Sequence, residues 1–595
     1  MPDNRGRSGA GCGHPRRVVD YVVEHLARRG IRHVFGVDGA NIEDLYDAAH
    51  SCGEITAVLA KHEFSAAAMA DAYSRTGAGI GIVAATSGGG ALNTIPGLGE
   101  SLASRVPVLA LIGQPPTTLD GRGAFQDTSG ANGALDGKAL FSAVSVSCRQ
   151  VLTPADIVTA LPRALSAATR IGGPAVLLLP KDVQQGLVDA VADDASEGKR
   201  STVGEEERRV GDPDPVVQLL RRADGRVVII AGDQVARDDA RAELEQLRAV
   251  LQARVTTVPE AKDVVAVPSL ALGVTGVMGH PAVSAAVAES AVCLLVGTRM
   301  SLIARSGLDE ALGSVPTASI GSARPYLPCT HVDTDDLRAS LKLLITALAD
   351  SGHPKCPREP DLLAGSELAT PPHRGPGVRY RDAMVVLDAL LPDGTDIVVD
   401  AGNIGAAAIH WLPVRPDGRF LVALGMGGMG YSFGAGIGMA FARATSPRGK
   451  SRQPSRRAVV IAGDGAFYMH GMEIHTAVQY GLPLTFVLFD NHAHAMCVTR
   501  EQLFYGDRYS YNRFGPSRLG AGLAAMFPTL PAVDVLNIGE LGAAIGAALA
   551  VEGPSVVAVE CSAYEIPPFS PFLAKTVPRT CGVKDRSTVE EGDRS

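Results

Sequence analysis

Two oxygen-bearing side chains stand at the ends of successive apolar runs in the carboxyl-terminal third of the chain. Asp464 follows "VVIA" between Gly463 and Gly465, and Asn491 closes the later run "LTFVLFDN". Polar groups at the carboxyl ends of neighbouring parallel strands point into the crevice where α/β proteins bind ligands. A carboxylate and an amide oxygen suit a hard cation such as Mg²⁺, and an adjacent glycine turn lets a phosphate approach. We therefore expect a magnesium–phosphate site that contains Asp464 and Asn491.

The glycine-flanked aspartate is by itself a weak signal. A chain with 67 glycines can carry such a tripeptide in a surface turn by chance. The segment that follows has Phe467, Ile474 and Val478 at spacings typical of one buried helix face. A strand, a helix and a second strand therefore follow one another, and this order brings Asp464 and Asn491 to one edge of a sheet.

The elements that must position these residues come in three blocks of similar size. In each block short Val-, Ile- and Leu-rich runs alternate with helical stretches, which is typical of a parallel sheet covered by helices. We predict an α/β protein with three doubly wound parallel-sheet domains, at residues 15–192, 216–346 and 378–570. The charged segment 193–215 and the Pro- and Gly-rich segment 351–377 are the predicted linkers.

Composition narrows the class of protein. The 595-residue chain is 46% hydrophobic and 20% charged, which is ordinary for a globular protein. A formal net charge of -8 argues against nucleic-acid binding, and no apolar run is long enough to span a membrane. The short basic segment 449–457 is interpreted as a solvated loop. Nine scattered cysteines, and an amino-terminal tail without an apolar signal segment, predict a cytoplasmic protein.

The spacing of Asp464 and Asn491 resembles the diphosphate–Mg²⁺ motif of thiamine-diphosphate enzymes. The resemblance covers nearly the whole chain and is nearest to the acetolactate synthase (acetohydroxyacid synthase) branch. It would make the three domains pyrimidine-binding, central and diphosphate-binding units. The segments that carry it occur in the family's order, at 61–75, 85–101, 105–116, 124–130, 179–184, 425–438 ("GMGGMGYSFGAGIG") and 503–510.

The resemblance implies thiamine diphosphate and Mg²⁺ as cofactors. Glu63 would contact the aminopyrimidine ring nitrogen and so help to generate the reactive ylid at the thiazolium carbon. Met429 would lie under the cofactor and hold it in a bent shape. The metal ligands would be Asp464, Asn491 and the carbonyl of Ala493. The other cofactor contacts would be Gly402, Asn403, Gly428, Gly463, Gly465, Ala466 and Met496.

Structural alternatives stand beside these roles. A carboxylate such as Glu63 is also stabilised by a helix N-terminus, and a methionine such as Met429 also fills a core. Gln114, Phe125 and Gln126 match catalytic-site positions of the family, although core packing is an equal alternative for Phe125.

The segment after the metal-binding asparagine departs from acetolactate synthases. Thr499, Arg500 and Glu501 replace the family's Gln-Trp-Gln cluster, whose Trp helps to select the second 2-oxo acid. Arg500 either faces the site, where it would favour an acceptor with a carboxylate, phosphate or hydroxyl groups, or lies on the surface. His494 is a candidate for substrate contact and proton transfer.

The middle block raises FAD as a third cofactor. Its segments "GVTGVMGHPAV" and "VGTRMS" resemble the FAD-contacting region of the branch, and Arg299 is the candidate ligand-contacting residue there. The block lacks the Phe-Asp-Asp-Arg run that normally follows, which leaves FAD binding open.

The predicted function is a carboligase that decarboxylates a 2-oxo acid, such as pyruvate, and transfers the acyl unit to a second carbonyl compound. The alternatives are a simple 2-oxo acid decarboxylase, a 2-hydroxyacyl lyase and a non-catalytic cofactor-binding subunit. Intact Glu63, Met429, Asp464 and Asn491 argue against the last. The family's site is shared between subunits, so the resemblance implies a homodimer or homotetramer.

Overall fold

The computed structural model describes residues 16–188, 208–265, 271–349, 366–445 and 456–576. These residues form three α/β units, each built around a six-stranded sheet. Every pairing within the three sheets is parallel, so the predicted fold class is confirmed. Both terminal tails, and the greater part of both predicted linkers, lie outside the described residues.

The N-terminal unit has the strand order β3-β2-β4-β5-β7-β6, and β1 and β8 form a separate antiparallel pair. Its strands are β1 (Arg16–Arg17), β2 (His33–Val37), β3 (Thr56–Leu59), β4 (Gly81–Ala85), β5 (Val108–Gln114), β6 (Ser147–Gln150), β7 (Pro174–Pro180) and β8 (Leu187–Val188). Its helices are α1 (Val18–Arg28), α2 (Glu43–Cys52), α3 (Glu63–Arg75), α4 (Gly89–Ala103), α5 (Gly137–Ala143), α6 (Ile157–Ala167) and α7 (Lys181–Gln185).

The middle unit has the strand order β11-β10-β9-β12-β13-β14. Its strands are β9 (Val227–Ala231), β10 (Arg254–Thr257), β11 (Ala271–Val274), β12 (Val292–Val296), β13 (Thr317–Gly321) and β14 (Thr330–Asp333). Its helices are α8 (Asp214–Arg222), α9 (Gln234–Arg237), α10 (Arg241–Leu251), α11 (Pro281–Ala288), α12 (Leu302–Arg305), α13 (Asp309–Ser314) and α14 (Leu337–Ala349).

The C-terminal unit has the strand order β16-β15-β17-β18-β20-β19. Its strands are β15 (Asp396–Val399), β16 (Phe420–Val422), β17 (Ala458–Gly463), β18 (Leu484–Asp490), β19 (Ala532–Val535) and β20 (Ser555–Glu560). Its helices are α15 (Tyr380–Leu390), α16 (Asn403–Trp411), α17 (Tyr431–Thr445), α18 (Asp464–His470), α19 (Ile474–Tyr480), α20 (Ala495–Tyr505), α21 (Leu519–Met526), α22 (Ile538–Leu549) and α23 (Ser570–Thr576).

The N-terminal and C-terminal units share one topology. In both, the strands follow the order second, first, third, fourth, sixth, fifth, whereas the middle unit runs third, second, first, fourth, fifth, sixth. Central strands such as β5 and β18 are buried along their whole length, because helices cover both faces of each parallel sheet. Such sheets bind ligands where the strand order reverses, which in the C-terminal unit lies between β15 and β17.

Helices α3 and α17 pack the N-terminal unit directly against the C-terminal unit. Two glycines of α17 permit this close approach: a methyl group on Gly434 would lie 2.4 Å from the Ser65 carbonyl oxygen, and one on Gly438 would lie 2.0 Å from that of Met69. Between the helices the Tyr431 hydroxyl donates to buried Asp71 at 2.5 Å. None of the helices in these described parts of the chain is long and apolar enough to cross a membrane.

Replacing Gly438 with Ala should destabilise the protein by about 3 kcal/mol, the upper end of the usual cost of overpacking, because the new methyl group meets backbone rather than a flexible side chain. Gly542→Ala is the matched control, since Gly542 lies in α22 with nothing within 4 Å of its added methyl group. The control should be neutral or stabilising by up to about 1 kcal/mol. Guanidinium denaturation measures both variants, and equal midpoints would contradict the proposed close contact.

Candidate active site

The carboxyl edge of the C-terminal sheet brings the predicted metal site together. Gly463 at the end of β17 pairs in register with Phe489 of β18. The next residues along these strands, Asp464 and Asp490, therefore stand side by side where the chain leaves the sheet. Both side chains are buried, at 1% and 3% exposure. The edge predicted from the spacing of Asp464 and Asn491 thus contains a second carboxylate.

Oxygen and nitrogen donors cluster around Asp464. Its Oδ1 accepts from the Gly465 amide at 2.9 Å, and its Oδ2 accepts from the Ala493 amide at 3.1 Å. One potential ligand atom each from Asp464, Asp490 and His492 lies within 4.8 Å of the others. Sequence reasoning did not assign a role in metal binding to Asp490 or His492, although both adjoin Asn491.

The electrostatics of this cluster fit a cation. Burial, together with the charge of Asp490, raises the pKa of Asp464 to about 8. Two buried oxygens, Asn491 Oδ1 and Asn403 Oδ1, accept no hydrogen bond from the described residues, and Asp490 Oδ1 lies 3.1 Å from His492 Nδ1 without a well-formed hydrogen bond. Unsatisfied buried oxygens beside paired carboxylates are typical of a site for Mg²⁺. The donors present therefore fit the predicted metal ion.

The turn after β15 lies beside this cluster, across the point where the strand order reverses. Gly402 has φ 117° and begins α16, and it leaves open space where a side chain would lie. Asn403 donates from Nδ2 to the Thr499 hydroxyl at 3.2 Å, which fixes its amide in the buried edge. Both residues stand where the resemblance places a diphosphate.

The loop that carries Met429 is held at both ends by carboxylates that sequence reasoning missed. Asp400 accepts from the amides of Gly430 at 3.0 Å and Ser432 at 2.9 Å. Glu100 of α4 accepts from the amides of Gly425 at 3.2 Å and Met426 at 2.6 Å. These four bonds fix the loop between the C-terminal sheet and the N-terminal unit.

Met429 itself faces the metal site. Its terminal methyl group lies 3.3 Å from where a side chain on Gly465 would begin, and His494 Nδ1 lies 2.5 Å from that position. Only a glycine fits at residue 465, because His494 and Met429 occupy the space that a side chain would need. Met429 is half-buried, and the half that remains exposed is consistent with a side chain that supports a bound cofactor.

Glu63 is the first residue of α3 and is 8% exposed. Its Oε2 accepts a hydrogen bond from Asn93 Nδ2 at 3.0 Å, and a methyl group on Gly90 would lie 3.0 Å from its Oε1. Asn93 therefore orients the carboxylate, while Gly90 keeps the space beside its other oxygen open. The ring of the next residue, Phe64, lies 3.1 Å from the point where a side chain on Gly428 would begin. The start of α3 therefore lies beside the Met429 loop.

The three predicted catalytic residues of the N-terminal unit have different environments. Phe125 is 79% exposed, so core packing does not explain it. Gln126 has φ 62° and packs its side chain against Gly88. Gln114 is buried and accepts from the Thr128 hydroxyl at 2.6 Å, so it supports the loop that carries the other two.

The candidate site residues on α20 and near it also differ in their burial and contacts. His494 is half-buried, packs edge-on against Phe514 at 4.8 Å and lies against Gly465. Arg500 is exposed on α20, which matches the surface alternative. Ala466 is buried in α18 and Met496 is half-buried in α20.

The proposed FAD region forms a separate cavity at the middle unit. The cavity has a volume of about 270 Å³, and its lining includes Arg105, Arg237, Arg299 and Tyr326. The guanidinium of Arg299 stacks on the Tyr326 ring at 4.4 Å. The segment "VGTRMS" contributes Arg299 to this lining, and FAD binding there stays a prediction.

Family models match all three units. The N-terminal TPP binding domain of thiamine pyrophosphate enzymes matches residues 16–134, the central domain matches 214–320, and the C-terminal TPP binding domain matches 400–559. Together these matches cover more than half of the chain. The chain belongs to the thiamine pyrophosphate enzyme family. Thiamine pyrophosphate is thiamine diphosphate, so the cofactor predicted from the sequence is confirmed.

Curated relatives of this thiamine pyrophosphate enzyme are acetolactate synthases. The chain is 29% identical over 529 residues to a probable acetolactate synthase large subunit of Methanocaldococcus jannaschii, with 84% of each chain covered. It is 27% identical to the isozyme 2 large subunit of Escherichia coli, covering 83% of this chain and 86% of the relative. It is 24% identical to the isozyme 1 large subunit, covering 92% and 94%. The chain is thus acetolactate synthase-like along nearly its whole length.

Replacing Asp464 with Asn should weaken Mg²⁺-dependent binding of thiamine diphosphate about 100-fold or more, because it removes a charged oxygen from the centre of the donor cluster. Asp393→Asn is the matched control, since Asp393 is exposed. Isothermal titration calorimetry on the full chain measures both affinities. Equal affinity in the two variants would exclude Asp464 as a ligand.

Proposed function

We propose that the protein decarboxylates a 2-oxo acid, with pyruvate as the first candidate, and transfers the remaining acyl unit to a second carbonyl compound. The presence of both a metal-binding cluster and a fixed carboxylate is the observation that carries this proposal. The buried Asp464 cluster fits a metal-bound diphosphate, and Glu63 is a buried carboxylate that Asn93 holds in place on the N-terminal unit. The names of these relatives support the same class of reaction.

The residues at the C-terminal sheet would hold the cofactor's charged end. Asp464, Asn491 and the carbonyl of Ala493 would bind Mg²⁺, and Asp490 adds negative charge close by. The open backbone at Gly402 would let the diphosphate approach. When bound, thiamine diphosphate supplies a nucleophilic carbon and accepts the electrons released as the carboxyl group leaves.

Glu63 would exchange a proton through one of its two carboxylate oxygens. Because Asn93 occupies Oε2, the oxygen that is free to exchange a proton is Oε1, beside Gly90. The geometry of the carboxylate is fixed before any ligand arrives, which is what general acid–base catalysis requires. Met429 presents an apolar surface next to Gly465 and would help to exclude water from the reacting atoms.

We include a homodimer or homotetramer in this proposal, with the N-terminal unit of one chain facing the C-terminal unit of its partner. Large exposed apolar side chains occur on the segments next to the site: Met426 at 64%, Tyr468 at 50%, Met469 at 49% and Met472 at 42%. Contiguous exposed apolar surface marks interaction sites. A cytoplasmic location also remains part of the proposal, because the six described cysteines are free thiols, which suits a reducing compartment.

Replacing Glu63 with Gln should reduce the release of CO₂ from pyruvate by about 100-fold or more, because the proton-exchanging carboxylate is lost while its shape is kept. The assay uses full chain loaded with thiamine diphosphate and Mg²⁺. Glu54→Gln is the control, since Glu54 is exposed on the same unit. Undiminished release by Glu63→Gln would exclude the assigned role, and calorimetry on that variant checks that the cofactor still binds.

Replacing Met469 with Glu should dissociate the oligomer, because it places a charge in the apolar surface beside the site. Met526→Glu is a matched control on α21, where Met526 is 56% exposed. Light scattering after gel filtration gives the mass of each. A wild-type protein that runs as a single chain at micromolar concentration would refute the shared site.

A further inference from the structure

A cavity other than the one beside Arg299 lies where the three units meet. Its volume is about 660 Å³, and its walls come from the end of α3 at Arg75–Gly77, from the start of α10 in the middle unit, and from residues 414–419 before β16. Arg456 completes the lining. It is exposed, and residues 449–455 of the same basic segment lie outside the described residues. We call this space the arginine cavity.

Seven arginine and three aspartate side chains line the arginine cavity. Two of the aspartates, Asp239 and Asp417, are exposed. Five of the arginines have a carboxylate partner. These pairs are Arg75 with Asp71, Arg237 with Asp233, Arg415 with Asp388, Arg419 with Asp263, and Arg443 with Asp396.

Arg241 shares its carboxylate with another arginine. Asp263 is in contact with Arg419 and accepts from the Phe420 amide at 3.2 Å, and Arg241 Nη2 reaches it only at 3.8 Å. This nitrogen donates no hydrogen bond within the described residues, whereas Arg241 Nε donates to the Asp263 carbonyl at 3.1 Å and the side chain as a whole is 26% exposed. Burial and the charges of Arg419 and Arg443 hold the pKa of Arg241 below its usual value.

Arg456 stands at the exposed side of the same cavity. Its Nη1 donates to the carbonyl of Asp417 at 2.8 Å, which does not neutralise its charge. Within the described residues, Arg241 thus has only a shared carboxylate and Arg456 has none, so the charges of both are incompletely neutralised. A phosphate group carries a charge of about −1.5 to −2 at neutral pH, and its oxygens match the planar donors of guanidinium groups.

We propose that the arginine cavity binds a small anion that carries phosphate groups, with Arg241 and Arg456 as the principal ligands. A volume of about 660 Å³ lies within the range of small-molecule sites, so the space accommodates more than a single inorganic ion. Because all three units contribute to its walls, a bound anion stabilises their arrangement. This site is separate from the donor cluster at Asp464 and does not depend on the proposed reaction.

The test is binding of inorganic pyrophosphate and of ADP to the full chain, at constant ionic strength. EDTA is present so that neither probe binds at Asp464 through Mg²⁺, and Asp464→Asn should leave the affinity unchanged. Calorimetry gives the affinity and stoichiometry, and the thermal midpoint should rise with probe concentration until saturation. Equal affinity for the two probes means that phosphate groups alone are recognised, and tighter ADP binding means that a nucleotide is.

Arg241→Gln and Arg456→Gln should each weaken binding by about tenfold or more, the usual loss for a hydrogen bond to a charged group. Arg222→Gln, at an exposed arginine of α8, should bind as the wild type does. If Arg241→Gln lowers the ligand-free thermal midpoint, the exposed position of Arg456 makes its variant decisive. Absence of saturable binding of both probes, or affinities unchanged in Arg456→Gln, would overturn the proposal.

Discussion

The meeting of Asp464 and Asp490 at one edge of a sheet is the constraint on which the rest of the site depends. Two buried carboxylates repel each other, and burial raises the pKa of Asp464 to about 8. Such a pair is held together either by a shared proton, which is what the raised pKa of Asp464 expresses, or by a cation. A divalent cation, ligated also by Asn491, relieves the repulsion and at the same time attracts a diphosphate. The chemistry of the site thus begins with an electrostatic cost in the unliganded protein.

Long-range hydrogen bonds fix the Met429 loop between the N-terminal and C-terminal units. Glu100 lies 325 positions before Gly425 in the chain and yet accepts its amide proton, so one end of the Met429 loop is fixed by the N-terminal unit. Asp400 fixes the other end from β15. The close approach of α3 and α17 sets the distance between the units. A shift at this helix pair would therefore move Glu63 relative to the Met429 loop of the same chain.

The sequence was sufficient for those features whose cause is local. Alternating apolar runs predicted three parallel-sheet units, and a glycine turn at a strand end predicted the edge that contains Asp464 and Asn491. The sequence was not sufficient for Asp400, Glu100 and Asn93, because their hydrogen-bond partners are distant or depend on how helices pack. The strand order of each sheet is likewise a property of tertiary pairing.

The sequence pattern also could not predict how exposed individual side chains are. Arg500 replaces a Trp of the family, and only its position on α20 shows that it is exposed in this chain. Phe125 is the opposite case, since a core role was an equal alternative until its 79% exposure excluded it. Arg456, near the end of a segment interpreted as a solvated loop, is exposed and also lines a cavity between units.

The identity of the product tests the central claim most directly. The protein loaded with thiamine diphosphate and Mg²⁺ is incubated with carbon-13-labelled pyruvate and unlabelled acceptor carbonyl compounds, and the products are analysed by NMR. We predict a new carbon–carbon bond between a labelled two-carbon unit and an acceptor, formed together with CO₂. Labelled acetaldehyde alone, at a rate independent of any acceptor, would contradict the carboligase assignment and indicate a simple decarboxylase.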